Sequence, residues 1–331
     1  MPPPSPARMT TTPYSYAERL AAERAPRAAS LLLGLRWSFG LPAGDLTALT
    51  EYSLPLNPVP ILEVLAARGG ARIVRHQGDD PEPLHGHLET GQPAIVAIDA
   101  FYFPFRPAYL RVHSSRTVLV TGITDDGRFH LRDLWAPPAE GTISAEEMAD
   151  ARFSAVPLDV DREPLFSGNP VGGVWFTVEA EAPHVEDAAA WTRERLGWLW
   201  DEMATPRADE RGSYGIGALR EFQRRLEEGL GGEDSIPLRR GASLLLRPEL
   251  TSRLYLGVFL RNAAHLLRDE TLKAEIERYR EALGHLQSAT DVLTKTVRTR
   301  RPEYDEFIRE HFARACDYEE RLLDALRAYS P

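Results

Sequence analysis

The sequence predicts an α+β fold in which a mixed N-terminal half is followed by an all-helical C-terminal half. Up to about residue 180, short apolar runs rich in β-branched and aromatic residues alternate with short helical patterns. From about residue 184 onward, apolar residues recur at positions i, i+3, i+4 and i+7, which is typical of amphipathic helices. The polar stretch AEAPHVED separates the two patterns. We therefore expect a disordered leader over residues 1–13, an α+β domain over 14–182 and a helical domain over 183–331.

Helices and strands are expected to alternate in the N-terminal half. The turn DDG joins two strands of a hairpin, and Ser144 with Glu147 three residues later forms a capping box that starts a helix. In chain order we expect helices at 28–39 and 60–68, a strand at ARIVRH, a helical turn at 84–90, strands at AIVAIDAFYF, TVLVTG and RFHLRDL, a helix at 142–151 and a strand at GVWFTV.

Five helices are expected in the C-terminal half, where the loop GLGGEDSIPLRRG is the one clear break in the helical pattern. In chain order they cover residues 184–203, 215–229, 248–268, 272–298 and 302–328.

Composition excludes several classes of protein. The formal net charge is −10 and no basic stripe offsets it, which argues against a nucleic-acid-binding protein. Cys316 is the only cysteine, so the chain can form neither an internal disulfide nor a multi-cysteine zinc site. His85 and His87 form an HxH pair, but without a third ligand nearby we expect no metal site there. No apolar run approaches about 18 residues and the first residues lack the apolar core of a signal peptide, so we expect a cytoplasmic protein without membrane contact.

Three segments of the N-terminal half carry a resemblance to a known family. They are IDAFYFPFRPAY at 98–109, TVLVTGITDDG at 117–127 and FHLRDLW at 129–135, and the helical half adds GIGALREF and RLYLGVFLRNAAHLL. From about residue 25 to 295 the sequence resembles the butirosin biosynthesis acyltransferase family. The resemblance implies a papain-like, cysteine-peptidase-type N-terminal domain followed by a helical domain. It also implies a bacterial enzyme of antibiotic biosynthesis that transfers an acyl group from the phosphopantetheine arm of a carrier protein to an amine or another nucleophile.

The resemblance also implies a cysteine nucleophile on the first helix, a histidine base at the head of a strand and an acid on the next strand. Counted back from Gly40 and Gly122, the positions of the cysteine and the histidine hold Arg27 and Arg116, and Asp133 matches the acid. Because arginine stays protonated, it can serve neither as nucleophile nor as base. Two interpretations stay open. The arginines and Asp133 bind an anionic group and stabilise negative charge, or they form an internal salt bridge in an inactive site.

Other side chains offer alternative catalytic roles. A shift of three positions in the alignment brings Ser30 or His113 into register, so that Ser30 replaces the nucleophile or His113 becomes the base. In the second case His113 acts through a water or the substrate, next to Ser114 or Tyr109.

Aromatic residues follow the strand that ends at Asp99. Tyr102 and Tyr109, together with Asp99, are candidates for substrate binding, because aromatic walls shield an acyl chain from water. The alternative is that the aromatic stretch FYFPF only packs against the helical domain.

These observations lead to two functional hypotheses. The first is an enzyme that carries out acyl transfer, or an intramolecular condensation or cyclisation, without a cysteine nucleophile. The second is an inactive homologue that acts as an accessory, carrier-binding or scaffolding protein. The expected partner is an acyl carrier protein or a small-molecule acyl substrate, with no cofactor beyond a phosphopantetheine that the substrate carries, and a homodimer is left open.

Overall fold

The computed structural model describes most of the chain in two compact units. The described residues are 37, 39–48, 71–78, 80–133, 138–159, 161–163, 166–168, 170–180, 188–210, 212–232, 235–299 and 301–330. Residues 71–180 form the first unit, which contains a large sheet, and the described residues before 49 and after 187 form the second, helical unit. The predicted domain bounds at 14–182 and 183–331 stay a prediction, and the predicted leader and first two helices fall wholly or almost wholly outside the described residues.

The structure has strands in both units and helices that dominate the second. The strands are β1 (Gly40–Pro42), β2 (Ala71–His76), β3 (Ala94–Asp99), β4 (Ser115–Ile123), β5 (Phe129–Asp133), β6 (Ala139–Ile143), β7 (Trp175–Ala180), β8 (Arg207–Asp209) and β9 (Gly212–Tyr214). The α-helices are α1 (Glu82–Glu89), α2 (Ala145–Phe153), α3 (Ala188–Ala204), α4 (Ile216–Gly229), α5 (Ser235–Leu267), α6 (Glu270–Thr296) and α7 (Asp305–Leu326).

The sheet unit is built on six antiparallel strands in the order β2-β7-β3-β4-β5-β6. Strand β3 is buried along its whole length because it lies in the middle of the sheet. Alternate residues of β3, β4 and β5 share one face, where they pack against side chains of α1 and α2 in a single apolar core. The centre of this sheet therefore gives the unit a rigid base, and the carboxyl end of β3 is held firmly.

Local sequence signals explain the ends of these elements. Ser144 and Glu147 form the predicted capping box at the start of α2, with each side chain bonded to the other residue's backbone. Gly127, with φ of +76°, allows the tight turn between β4 and β5, so the predicted hairpin is confirmed. Strand β6 was not predicted, because its sequence AEGTI is short and lacks an apolar alternation.

The helical unit consists of α3 to α7 and a small sheet in the order β1-β9-β8. Helix α5 is much longer than predicted, since it begins at Ser235 and continues through Pro248, where the sequence pattern suggested a start. The small sheet was missed because each of its strands has three residues.

The α+β class is confirmed, and the papain-like architecture stays a prediction. Within the described residues, none of the helices combines the length and the apolar character that crossing a membrane requires.

Candidate functional site

The carboxyl end of β3 holds a histidine–aspartate pair. His113 Nδ1 lies 2.6 Å from Asp99 Oδ2. The Asp99 side chain is fully buried, whereas 28% of the His113 side chain is exposed. Because an ionised carboxylate can only accept, this geometry places a proton on Nδ1 and leaves the Nε2 lone pair as an acceptor. Among the described residues, Nε2 has no hydrogen-bond partner.

Asp99 is held by three further hydrogen bonds. Its Oδ1 accepts from the backbone N–H groups of Phe101 at 3.0 Å and of Ser114 at 2.9 Å. Its Oδ2, which bonds His113, also accepts from the hydroxyl of Ser154 at 2.6 Å. Four donors on one carboxyl group fix its orientation and replace the hydrogen bonds that water would make. The burial of this carboxyl group is therefore well compensated.

Aromatic rings determine the orientation of the His113 imidazole. The ring stacks on Phe101, with centroids 4.1 Å apart and planes 7° from parallel, and Tyr102 lies edge-on to it at 6.4 Å. Burial, followed by the negative charges of Asp150 and Asp99, raises the pKa of Tyr102, so its hydroxyl remains a hydrogen-bond donor at neutral pH. The imidazole is thus held between a hydrogen bond on one edge and an aromatic surface on one face.

The segment that carries His113 has an unusual backbone. Leu110 has φ of +51°, which is uncommon for a residue with a branched side chain, and its N–H donates to the carbonyl of Phe101 at 2.8 Å. Its side chain is 58% exposed. The carbonyl of Arg111, which follows Leu110, accepts a hydrogen bond from the Arg162 guanidinium at 3.1 Å. These bonds anchor the segment on both sides, and Leu110 presents an apolar side chain to solvent three residues before the histidine.

Ser114 and Tyr109 occupy different environments near the pair. Ser114 is buried, and among the residues that the structure describes its hydroxyl has no hydrogen-bond partner. Tyr109 is half-buried, and its backbone N–H donates to the carbonyl of Arg106 at 3.0 Å.

Arg116 and Asp133, the predicted anion-binding pair, each have a described charged partner. Arg116 Nη2 lies 3.6 Å from Glu163 Oε2, and its guanidinium lies 5.8 Å from the centre of the Phe166 ring. Asp133 is buried and accepts from Nε of Arg106, also buried, at 2.6 Å. The structure therefore places both predicted residues in ion pairs with residues that the sequence did not suggest.

The predicted nucleophile positions, Arg27 and Ser30, lie outside the described residues. Cys316 lies on α7 in the helical unit and is 1% exposed. Burial raises the pKa of its thiol, which keeps it protonated and unreactive. The only cysteine of the chain is therefore unsuited to form an acyl-enzyme.

His85 and His87, the histidines of the HxH pair, each contact a neighbouring residue of the sheet unit. His85 lies edge-on to Phe129 at 5.0 Å, and His87 Nε2 lies 3.3 Å from the carbonyl of Pro93. Across the described part of the chain, no three His, Cys, Asp or Glu side chains are grouped as a metal ion would require.

Three of the predicted residues, His113, Asp99 and Tyr102, come together, and Ser154 was missed. Ser154 directly follows α2, more than fifty positions from Asp99, and stands in no recognisable motif. The alternation of β3 could have indicated that Asp99 is buried and needs partners, but it could not identify a donor so distant in sequence.

The comparison with family models matches residues 20–134 to the N-terminal model of butirosin biosynthesis protein H. The resemblance inferred from the sequence is confirmed over this segment, which covers about a third of the chain and includes Asp99, His113, Arg116 and Asp133. It supports a place for the protein in natural-product metabolism. No curated protein matches the chain.

Proposed function

We propose that this protein catalyses transfer or cyclisation of an activated acyl group in natural-product biosynthesis, with His113 as general base. The observation that carries the proposal is the 2.6 Å contact between His113 Nδ1 and Asp99 Oδ2. The Asp99 side chain is fully buried, whereas the His113 side chain is 28% exposed and can meet a substrate. This is the arrangement that a neutral imidazole needs to accept a proton at Nε2 while the carboxylate stabilises the imidazolium that forms. The family match to butirosin biosynthesis protein H suggests the class of pathway.

The reaction proceeds by direct attack. Nε2 of His113 takes the proton from the amine or hydroxyl of the acceptor, whose lone pair then attacks the carbonyl carbon of a thioester. The tetrahedral intermediate collapses, the C–S bond breaks, and the leaving thiolate receives the proton from the imidazolium. The step needs no cysteine, in keeping with the burial of Cys316.

Stabilisation of the oxyanion is assigned to arginine. Arg116 lies on the strand that follows His113, and we propose that it supplies positive charge to the site. The role of Arg27, which lies outside the described residues, stays a prediction. A guanidinium keeps its positive charge at physiological pH, which suits it to stabilise an oxyanion as it forms.

The donor is proposed to be an acyl group on the phosphopantetheine arm of a carrier protein, or a small-molecule acyl thioester. No metal or organic cofactor is needed, since the thioester provides the activation. We propose a cytoplasmic location for the protein, and leave a homodimer open.

The experiment uses simple acyl N-acetylcysteamine thioesters with an amine acceptor and follows release of the free thiol. His113→Gln and Asp99→Asn should each reduce the rate by about 10²- to 10⁴-fold. The matched control is His130→Gln, which removes another half-exposed histidine on the same sheet, bonded to Thr121 at 2.6 Å. The proposal is wrong if both variants release thiol at the native rate.

A second candidate function is that of an inactive homologue that binds the carrier or a partner enzyme. One observation favours it: Asp133, where the family would place its catalytic acid, is already paired with buried Arg106 at 2.6 Å. Such a pair satisfies itself without a ligand. In a reconstituted pathway, this candidate predicts that His113→Gln and Asp99→Asn retain product formation, whereas omission of the whole protein reduces it.

A further inference from the structure

Ser154 is bonded to the same carboxylate oxygen as His113. Its hydroxyl lies 2.6 Å from Asp99 Oδ2, and its side chain is buried. We propose that Ser154 is a positioning residue that fixes Asp99 and moderates how strongly Asp99 holds the proton on His113. This inference rests on the proposed function of His113 as a base.

The direction of the Ser154 hydroxyl is determined by Val156. The backbone N–H of Val156 donates to Ser154 Oγ at 3.0 Å, which occupies an acceptor site and leaves the hydroxyl hydrogen for Asp99. Val156 is fully buried and has φ of +45°, a conformation that is unfavourable for a β-branched residue. Its carbonyl accepts from Gly168 N–H at 2.8 Å, which holds it in place. The surrounding structure thus maintains a strained residue whose N–H orients the serine.

The two carboxylate oxygens of Asp99 have different tasks. Oδ1 accepts the backbone N–H groups of Phe101 and Ser114, and these fix the carboxyl group to its own strand end and to the segment of His113. Oδ2 is shared by the hydroxyl of Ser154 and Nδ1 of His113, both at 2.6 Å. A hydrogen bond from Ser154 withdraws charge from Oδ2, so the attraction between Asp99 and a protonated His113 becomes weaker.

Loss of the Ser154 hydroxyl should therefore stabilise the protonated form of the His113 imidazole. In Ser154→Ala, the pH at which His113 is half protonated should rise by about half a pH unit, and the lower limb of the pH–rate profile should move by the same amount. Ser154→Thr keeps the hydroxyl and should restore the native midpoint. A purely structural role for Ser154 would lower activity without moving the midpoint.

The measurement is an NMR titration of the His113 ring nitrogens, assigned by comparison with His113→Gln, together with the pH profile of thiol release. The matched control is Ser167→Ala. Like Ser154, Ser167 is buried, accepts from a backbone N–H (Asp159, 2.8 Å) and donates to an oxygen (Glu163 carbonyl, 2.7 Å). Ser167→Ala should leave the His113 midpoint unchanged. If Ser154→Ala does not fold, Ser154→Cys, which keeps the volume but donates weakly, provides the same comparison.

The outcomes separate the two proposals. An unchanged NMR midpoint in folded Ser154→Ala overturns the role of Ser154, whatever the activity. A raised midpoint without thiol release in any form of the protein supports the coupling of Ser154 to His113 and overturns the proposed acyl transfer. A raised midpoint with a matching shift of the pH–rate profile supports both.

Discussion

Arg253 lies at the centre of a buried charge cluster in the helical unit, and its replacement by methionine should destabilise that unit strongly. Nη1 donates to Glu249 at 2.5 Å and Nε donates to Glu319 at 2.9 Å. All three side chains are at most 5% exposed. The cluster is completed by Trp37, whose indole N–H donates to Glu319 at 2.5 Å. One cation therefore stabilises two carboxylates that water cannot reach.

The magnitude follows from the loss of that cation. Burial alone would lower the pKa of Arg253, but the attraction of Glu319 and Glu249 outweighs burial and raises the pKa, so the arginine is charged at every working pH. Methionine fills a similar volume but removes the positive charge that Arg253 brings to both buried carboxylates. Removal of one partner from a buried ion pair costs about 3–5 kcal/mol, and we expect a loss in this range for the free energy of unfolding of Arg253→Met.

The assay is urea unfolding followed by far-UV circular dichroism. The matched control is Arg314→Met, since Arg314 pairs with Glu310 at the same i, i+4 spacing but both side chains are more than half exposed. That variant should lose no more than about 0.5 kcal/mol. Lowering the pH from about 8 to about 5 should reduce the loss in Arg253→Met, because buried carboxylates that have lost this cation can then bind protons. A loss below about 1 kcal/mol in Arg253→Met would refute the reasoning, since it would mean that the carboxylates are stable without their cation.

Two further predictions concern the same unit. Gly241→Ala on α5 should cost about 1–3 kcal/mol in urea unfolding, because a Cβ there would stand 1.8 Å from the carbonyl oxygen of Leu46. Gly284→Ala on α6 should stabilise the protein by up to about 1 kcal/mol, because a Cβ there meets no described atom within 4 Å. Equal effects of the two substitutions on the free energy of unfolding would contradict the packing argument. At the start of α6, hydrogen bonds from the Tyr329 hydroxyl and then from the Leu272 N–H lower the pKa of the capping residue Asp269. The stability that ionised Asp269 contributes is therefore fully present above its ordinary pKa of about 4 and is lost as the pH falls through the lowered pKa. Asp269→Asn should therefore show a weaker loss of stability than the native protein between about pH 5 and pH 2, and identical slopes would refute this.

The sequence predicted those elements whose pattern is strong and local. The hairpin of β4 and β5, the capping box at Ser144 and the long amphipathic helices α6 and α7 all follow from periodicity and from residues within a few positions of each other. Prediction failed where tertiary contacts outweigh local preference. Helix α5 continues through Pro248 despite the missing N–H, and the three-residue strands exist only because they pair with one another.

The site was predicted in part, for a similar reason. The sequence nominated His113 and Asp99 separately, with His113 as a fallback base and Asp99 as a substrate-binding residue. Their contact depends on how the chain returns through the fifteen residues between the end of β3 and the start of β4, which no spacing rule specifies. The alignment with the family instead directed attention to Asp133, which the structure pairs with Arg106. The hydrogen bond from Ser154 to Asp99 could be found only from the three-dimensional structure.

Asp99 and Asp133, both buried in the sheet unit, differ in a way that bears on their roles. Asp133 has Arg106 as its described charged partner, and such a pair serves to neutralise buried charge. Asp99 already accepts two backbone N–H groups and a hydroxyl, so its burial is largely compensated before His113 is considered. The hydrogen bond to His113 is therefore not required to satisfy the carboxylate. What it does is fix the tautomer of a part-exposed imidazole, and that is the property a general base needs.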